Sequence, residues 1–148
     1  MRLTLAMMVA SSIAWTACST AIPAGGGAVP IELGQSFSLR VGEVGQTADG
    51  VWRVGFEGVS ADSRCPKGEQ CVWAGDAIAR VWLQQGRGPR AAGELHTAQG
   101  ATQTLRLQGL ELRLLRLDPY PVSGRTVALG EHVATLSLIR GSSTEPDR

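Results

Sequence analysis

Apolar and polar residues alternate with a period of two along most of this chain, in short runs between residues 29 and 141. Phe37, Leu39 and Val41 alternate with Ser38 and Arg40, and Trp52, Val54 and Phe56 with Arg53 and Gly55. Ile78, Arg80 and Trp82 form one side of a run whose other side is Ala79, Val81 and Leu83. Leu105 and Leu107 sit among Thr104, Arg106 and Gln108, and Ala134, Leu136 and Leu138 alternate with Thr135 and Ser137. Successive side chains of a strand point to opposite faces, so each run reads as a strand with one buried face. Gly, Asp and Pro divide the runs, as turns between antiparallel neighbours require. The pattern predicts an all-β domain over 29–141, either an antiparallel sandwich (Ig-like or Greek-key) or a small barrel. One run carries two patterns: Leu110, Leu114 and Leu117 suit a helical face, and Leu110, Leu112 and Leu114 a strand. Strands on both sides favour a strand, and Pro119 and Pro121 end either element.

The 148 residues suit one domain. An apolar content of 43% with 18% charged residues supports a packed core and argues against wholesale disorder. The charges nearly cancel, 14 Lys and Arg against 13 Asp and Glu, so the chain has no basic field with which to hold nucleic acid.

Residues 1–17 read as a secretory leader: Arg2, then an apolar run from Leu3 to Ala14, then small residues, too short to span a bilayer comfortably. Trp15-Thr16-Ala17-Cys18 resembles the lipobox of bacterial lipoproteins, with Trp15 where that class carries an aliphatic residue. The resemblance implies cleavage before Cys18 and a lipid on its sulfur. Ordinary secretory cleavage, for example after Ala21, is the rival. Of three cysteines, Cys18 is the odd one, and either route leaves a pair in the mature chain. Residues 18–28, rich in Gly and Ala, read as a flexible tether, and 142–148 as a polar tail that frays. Ser19 resembles the residue after the lipidated cysteine in lipoproteins sorted to the outer membrane, so the expected partner is a membrane, reached through Cys18, with the domain facing the periplasm.

The densest cluster of chemistry is Asp62-Ser63-Arg64-Cys65-Pro66-Lys67-Gly68-Glu69-Gln70-Cys71-Val72-Trp73-Ala74-Gly75-Asp76-Ala77. Cys65 and Cys71 can close a tight ring in an oxidising compartment, worth roughly 2.4 kcal/mol in the chain-entropy account. Pro66 and Gly68 supply the bend, and Gly75 a turn that a side chain would strain. Asp62 and Ser63 are expected to bond their own backbone, and Arg64 to pair with Asp62 or Asp76 or lie on the surface. Trp73, two residues beyond Cys71, is expected to share its strand face, pack near the bridge and seal one end of the core. The string D-S-R-C-P-x4-C-V-W-A-G-D-A resembles a group of small, largely uncharacterised exported bacterial proteins, many of them predicted lipoproteins, through Asp62, Ser63, Arg64, Cys65, Pro66, Cys71, Trp73, Gly75 and Ala77. A weaker likeness runs through Pro119-Tyr120-Pro121 to Val133–Ile139. It implies an exported β domain and no particular activity or ligand.

Sharper chemistry finds little support. His96, His132, Asp62, Asp76, Glu69 and the cysteines have no metal-ligand spacing, so no metal and no cofactor is expected. Ser60 and Ser63 lie near acids but no His is close in sequence, and no hydrolase or phosphate-binding motif occurs. The expectation is a non-catalytic envelope module of unspecified role. The rival is a ligand- or protein-binding domain, inhibitor-like in shape, that uses loop 62–76, with Trp73, Trp82 and Tyr120 as candidate cleft residues. A binding role predicts exposed aromatics or charge around the bridge and a hollow nearby. A purely structural role predicts Trp73 buried and the loop packed on its own domain.

Overall fold

The structure, a computed structural model, describes residues 27–141. The expected leader, Cys18, most of the tether and the 142–148 tail lie outside these residues. Nine strands follow in order: β1 Val29–Ile31, β2 Ser36–Arg40, β3 Val44–Thr47, β4 Trp52–Asp62, β5 Ala77–Gln85, β6 Arg90–His96, β7 Thr104–Leu107, β8 Leu110–Asp118 and β9 Val133–Arg140. They form two sheets, β1-β3-β4-β5-β6 and β2-β9-β8-β7, giving the predicted sandwich rather than a closed barrel. All pairings are antiparallel except β1 with β3, where Val29 pairs Gly45 in parallel. β1 and β3 flank β2, which belongs to the opposite sheet, so the chain returns to the first sheet running the same way.

Period-two patterning delivers the core. Val54 and Phe56 of β4, Ala79, Val81 and Leu83 of β5, and Leu95 of β6 face Leu39, Leu112, Leu117, Leu136 and Leu138 from the second sheet. Ten of the large side chains in this layer are essentially inaccessible to solvent, the interdigitated packing that fixes two sheets at one spacing. On the outer face of the first sheet, Trp82 lies against Gly55, where an added Cβ would fall 2.1 Å from the indole ring. The Arg90 guanidinium stacks over that indole, 4.0 Å from its centre.

The ambiguous run 110–117 is strand β8. A bulge between Leu114 and Arg116 leaves Leu115 without a partner opposite and exposes it. The extra residue shifts the buried phase, so Leu110, Leu112 and Leu114 point inward and then Leu117 does. That one-residue slip produces the 110, 114, 117 spacing that imitates a helix.

β4 and β5 are joined by residues 63–76, which carry the Cys65–Cys71 disulfide, with Cα atoms 5.9 Å apart. The bridge closes the outer part of the connection and leaves its neck to hydrogen bonds. Cys71→Ala is expected to lower the unfolding free energy by about 2–4 kcal/mol, read from urea or thermal transitions of the oxidised protein. An unchanged midpoint would contradict it.

Candidate functional site

Backbone pairing of β4 with β5 continues past both strand ends. Ser63 N donates to Asp76 O at 2.7 Å and Cys65 N to Ala74 O at 2.8 Å, so 63–65 and 74–76 form a narrow neck. Gly75 makes the neck possible: its φ is +74°, and a Cβ there would lie 1.9 Å from the Ser63 carbonyl oxygen. Beyond the neck, Glu69 N donates to Pro66 O across a turn with Gly68 at φ +95°. The tip docks on the β8–β9 connection, where Lys67 N donates to Pro121 O, Ser123 N to Lys67 O, and the Ser123 hydroxyl to Glu69.

Arg64 is the clamp between the sheets. Its side chain is 5% exposed, and it reaches three groups. Nε and Nη2 donate to the two oxygens of Asp62 at 2.8 and 2.5 Å, Nη1 to Leu117 O at 2.7 Å, and Nη2 to Pro119 O at 3.0 Å. Of the expected partners Asp62 is the one found, and the surface alternative is overturned. Asp62 also accepts the Arg64 backbone N–H, as its expected turn role requires. Ser63 Oγ donates to Asp76 O. The Arg64 guanidinium lies 5.0 Å from the centre of the Tyr120 ring, whose position is thereby tied to the loop.

Trp73 does not seal the core. Its expected burial beside the bridge is overturned, since the side chain is 82% exposed and neighbouring Val72 89%. The physical reason is local. Residues 71–76 are not a strand, because β5 starts only at Ala77, and the tight bend at Gly75 carries Trp73 outward. Trp73 instead lines a cleft of about 850 Å³ with Lys67, Tyr120, His96, Gln99 and Leu115. A second open hollow of about 810 Å³ lies on the bridge side, and Lys67, Trp73 and Tyr120 line it too. Trp82, the remaining aromatic candidate, belongs to the outer sheet face and not to the cleft.

The fold adds a dyad that sequence spacing hides. Asp76, just before β5, and His96 at the end of β6 are neighbours because those strands pair, and His96 Nδ1 lies 2.5 Å from Asp76 Oδ2. The other Asp76 oxygen accepts from Thr97 N, Ala98 N and the Thr97 hydroxyl. A carboxylate accepts only, so Nδ1 donates and the Nε2 edge of His96 is left for other work. This is the pose of an oriented general base, but the cleft wall offers no serine or cysteine; its hydroxyls are Thr97, already donating to Asp76, and Tyr120. Among the described residues no three His, Cys, Asp or Glu side chains gather as a metal site needs. His132, named in the sequence only as an isolated histidine, is buried with Nδ1 on Leu129 O and Nε2 3.8 Å from Asp62.

No match is found. Protein families, curated proteins and solved structures were each compared with the chain, and none corresponds to it. The site must therefore be read from its own geometry.

Three carboxylates link this geometry to acidity. Burial raises the Asp62 carboxyl, but Arg64 and His132 more than offset it and hold it below the usual range. Burial likewise raises Asp76, and the His96, Ala98 and Thr97 hydrogen bonds win. The Arg113 hydrogen bond, aided by Arg106, lowers Glu111 against its burial. All three bind protons less readily folded than unfolded. Their contribution is complete above the unfolded values near ~4 and is lost as pH falls through the lowered folded values. Urea midpoints are expected to stay level from neutral to about pH 5 and to drop in stronger acid, less steeply in Asp76→Asn. A midpoint insensitive to acid would refute this.

Proposed function

We propose that this is an exported, non-catalytic binding module, anchored through a lipid on Cys18, that recognises its ligand at the cleft beside the 62–76 loop. The observation that carries the reading is Trp73, a large apolar side chain held 82% exposed between the Cys65–Cys71 bridge and the hydrogen-bonded neck, beside an 850 Å³ cleft. Leaving an indole in water forgoes its burial energy, roughly 1.5–3 kcal/mol for a large apolar side chain, and a site that covers it on binding recovers that. The bridge and the neck fix the loop beforehand, which limits the ordering cost of association. The disulfide accords with an oxidising compartment, and export through the leader would supply one. A purely structural role for the loop would favour Trp73 turned inward.

A fragment screen followed by amide chemical shifts tests the site without knowledge of the ligand. Hits are expected to cluster on Lys67, Trp73, His96–Gln99 and Tyr120. Trp73→Ala is expected to abolish them while changing stability by less than ~0.5 kcal/mol, because the side chain is in solvent. Hits spread over the surface, or none, would overturn the binding reading. Labelled palmitate incorporation that disappears in Cys18→Ser tests the anchor, and its absence in the unaltered chain would dismiss it.

A further inference from the structure

We infer, resting on that binding reading, that the ligand is an acidic glycan: a chain of sugar rings bearing carboxylate groups. Lys67, Trp73 and Tyr120 line both the cleft and the second hollow, so they form a ridge between two depressions of similar size. The cleft falls in the roughly 300–1,000 Å³ range of small-ligand sites, and its continuation past these side chains into a shallow, open hollow suits a chain of rings better than one compact molecule. Trp73, 82% exposed, offers a flat aromatic face, against which the C–H face of a sugar ring packs, beside a Tyr120 ring that already carries Arg64 and Lys67. The wall beyond the ridge supplies the Gln99 amide, the Gln103 amide and the imidazole of His96, donors and acceptors of the kind that ring hydroxyls pair with.

Charge selects the acidic form. Two of the cations at the cleft are already matched, Arg64 by Asp62 and Arg116 by Asp118 at 2.6 Å, and the Nδ1 of His96 is engaged by Asp76. Lys67 has no carboxylate within salt-bridge distance among the described residues, and its ammonium lies 5.5 Å from the centre of the Tyr120 ring. An ammonium on an aromatic ridge, with no ion pair, is placed to receive an anionic group on a ring stacked there. An extended peptide finds less. β7 begins only at Thr104, opposite Arg113, leaving the flank of β8 beyond Leu114 without a neighbouring strand, but Arg64 occupies the carbonyls of Leu117 and Pro119 there and Gln103 O takes the Leu114 N–H. Strand addition needs those groups free.

The test titrates the full chain with short oligogalacturonides, with uncharged cello-oligosaccharides of the same length, and with an oligoglutamate peptide, following the amides of Lys67, Trp73, His96 and Tyr120. The acidic sugars are expected to bind about tenfold tighter than the neutral ones, an advantage that fades with added salt and is lost in Lys67→Met. Neutral sugars binding equally well, or Lys67→Met leaving affinity for the acidic ones unchanged, would overturn the acidic assignment. Oligoglutamate binding more tightly than any sugar, or silence from every probe, would overturn the glycan. The fragment screen decides separately whether the cleft binds ligands at all.

Discussion

Arg64→Met is expected to cost about 3–5 kcal/mol of unfolding free energy, the range for removing one partner of a buried ion pair. The guanidinium touches both Asp62 oxygens and the carbonyls of Leu117 and Pro119. Methionine fills some of the volume and restores none of these bonds, leaving a part-buried carboxylate and two carbonyls without their donor. Arg64→Lys is expected to recover only a minor part, because a point ammonium cannot serve three groups set at the angles of a planar fork. Asp62→Asn combined with Arg64→Met should cost less than the two separate losses added together, since the second change removes the stranded charge. Equilibrium unfolding in urea reads all four proteins. A loss below about 1 kcal/mol for Arg64→Met would mean that the sheets do not depend on this clamp.

Gly75→Ala is expected to be nearly as damaging for a different reason. A φ of +74° costs an L-residue about 1–2 kcal/mol, and a Cβ 1.9 Å from the Ser63 carbonyl oxygen cannot stay there. The obstruction is backbone, so no rotamer change relieves it, and overpacking adds about 1–3 kcal/mol. The neck must open, breaking the hydrogen bonds from Ser63 to Asp76 and from Cys65 to Ala74. Amide exchange at Ser63 and Cys65 should therefore accelerate along with the fall in melting temperature. Gly109 provides the control: its φ is also positive, but a Cβ there meets nothing within 4 Å, so Gly109→Ala carries only the backbone part of the cost. Equal losses at both glycines would refute the steric argument.

Strands were legible wherever a single period governed a run. β4 and β5 show in sequence as inward Val54, Phe56, Val81 and Leu83, and the structure keeps that phase. Legibility failed at breaks in the period. The bulge at Leu115 reproduces helical spacing, and the parallel pairing of β1 leaves no mark in three residues. The disulfide was readable because a six-residue separation in an oxidising compartment leaves few other uses for two thiols. The outward pose of Trp73 was not, because an aromatic near a bridge is ordinarily core and the deciding factor is the neck geometry at Gly75. Asp76 and His96 lie twenty residues apart, and only the β5–β6 register brings them together. The sequence names Arg64 as a cation needing a partner, but its two carbonyl acceptors come from β8 and its far end, which no local pattern reveals.

The separation between what holds the loop and what it displays has a consequence for how this molecule changes over generations. Asp62, Arg64, Gly75 and the two sulfurs secure the frame, and the tip meets the β8–β9 connection largely through main-chain atoms. The side chains at 67, 70, 72 and 73 secure nothing by comparison. Substitutions there can alter what is recognised without eroding foldability, so the loop is an exchangeable cassette, open to drift in nature and to grafting at the bench.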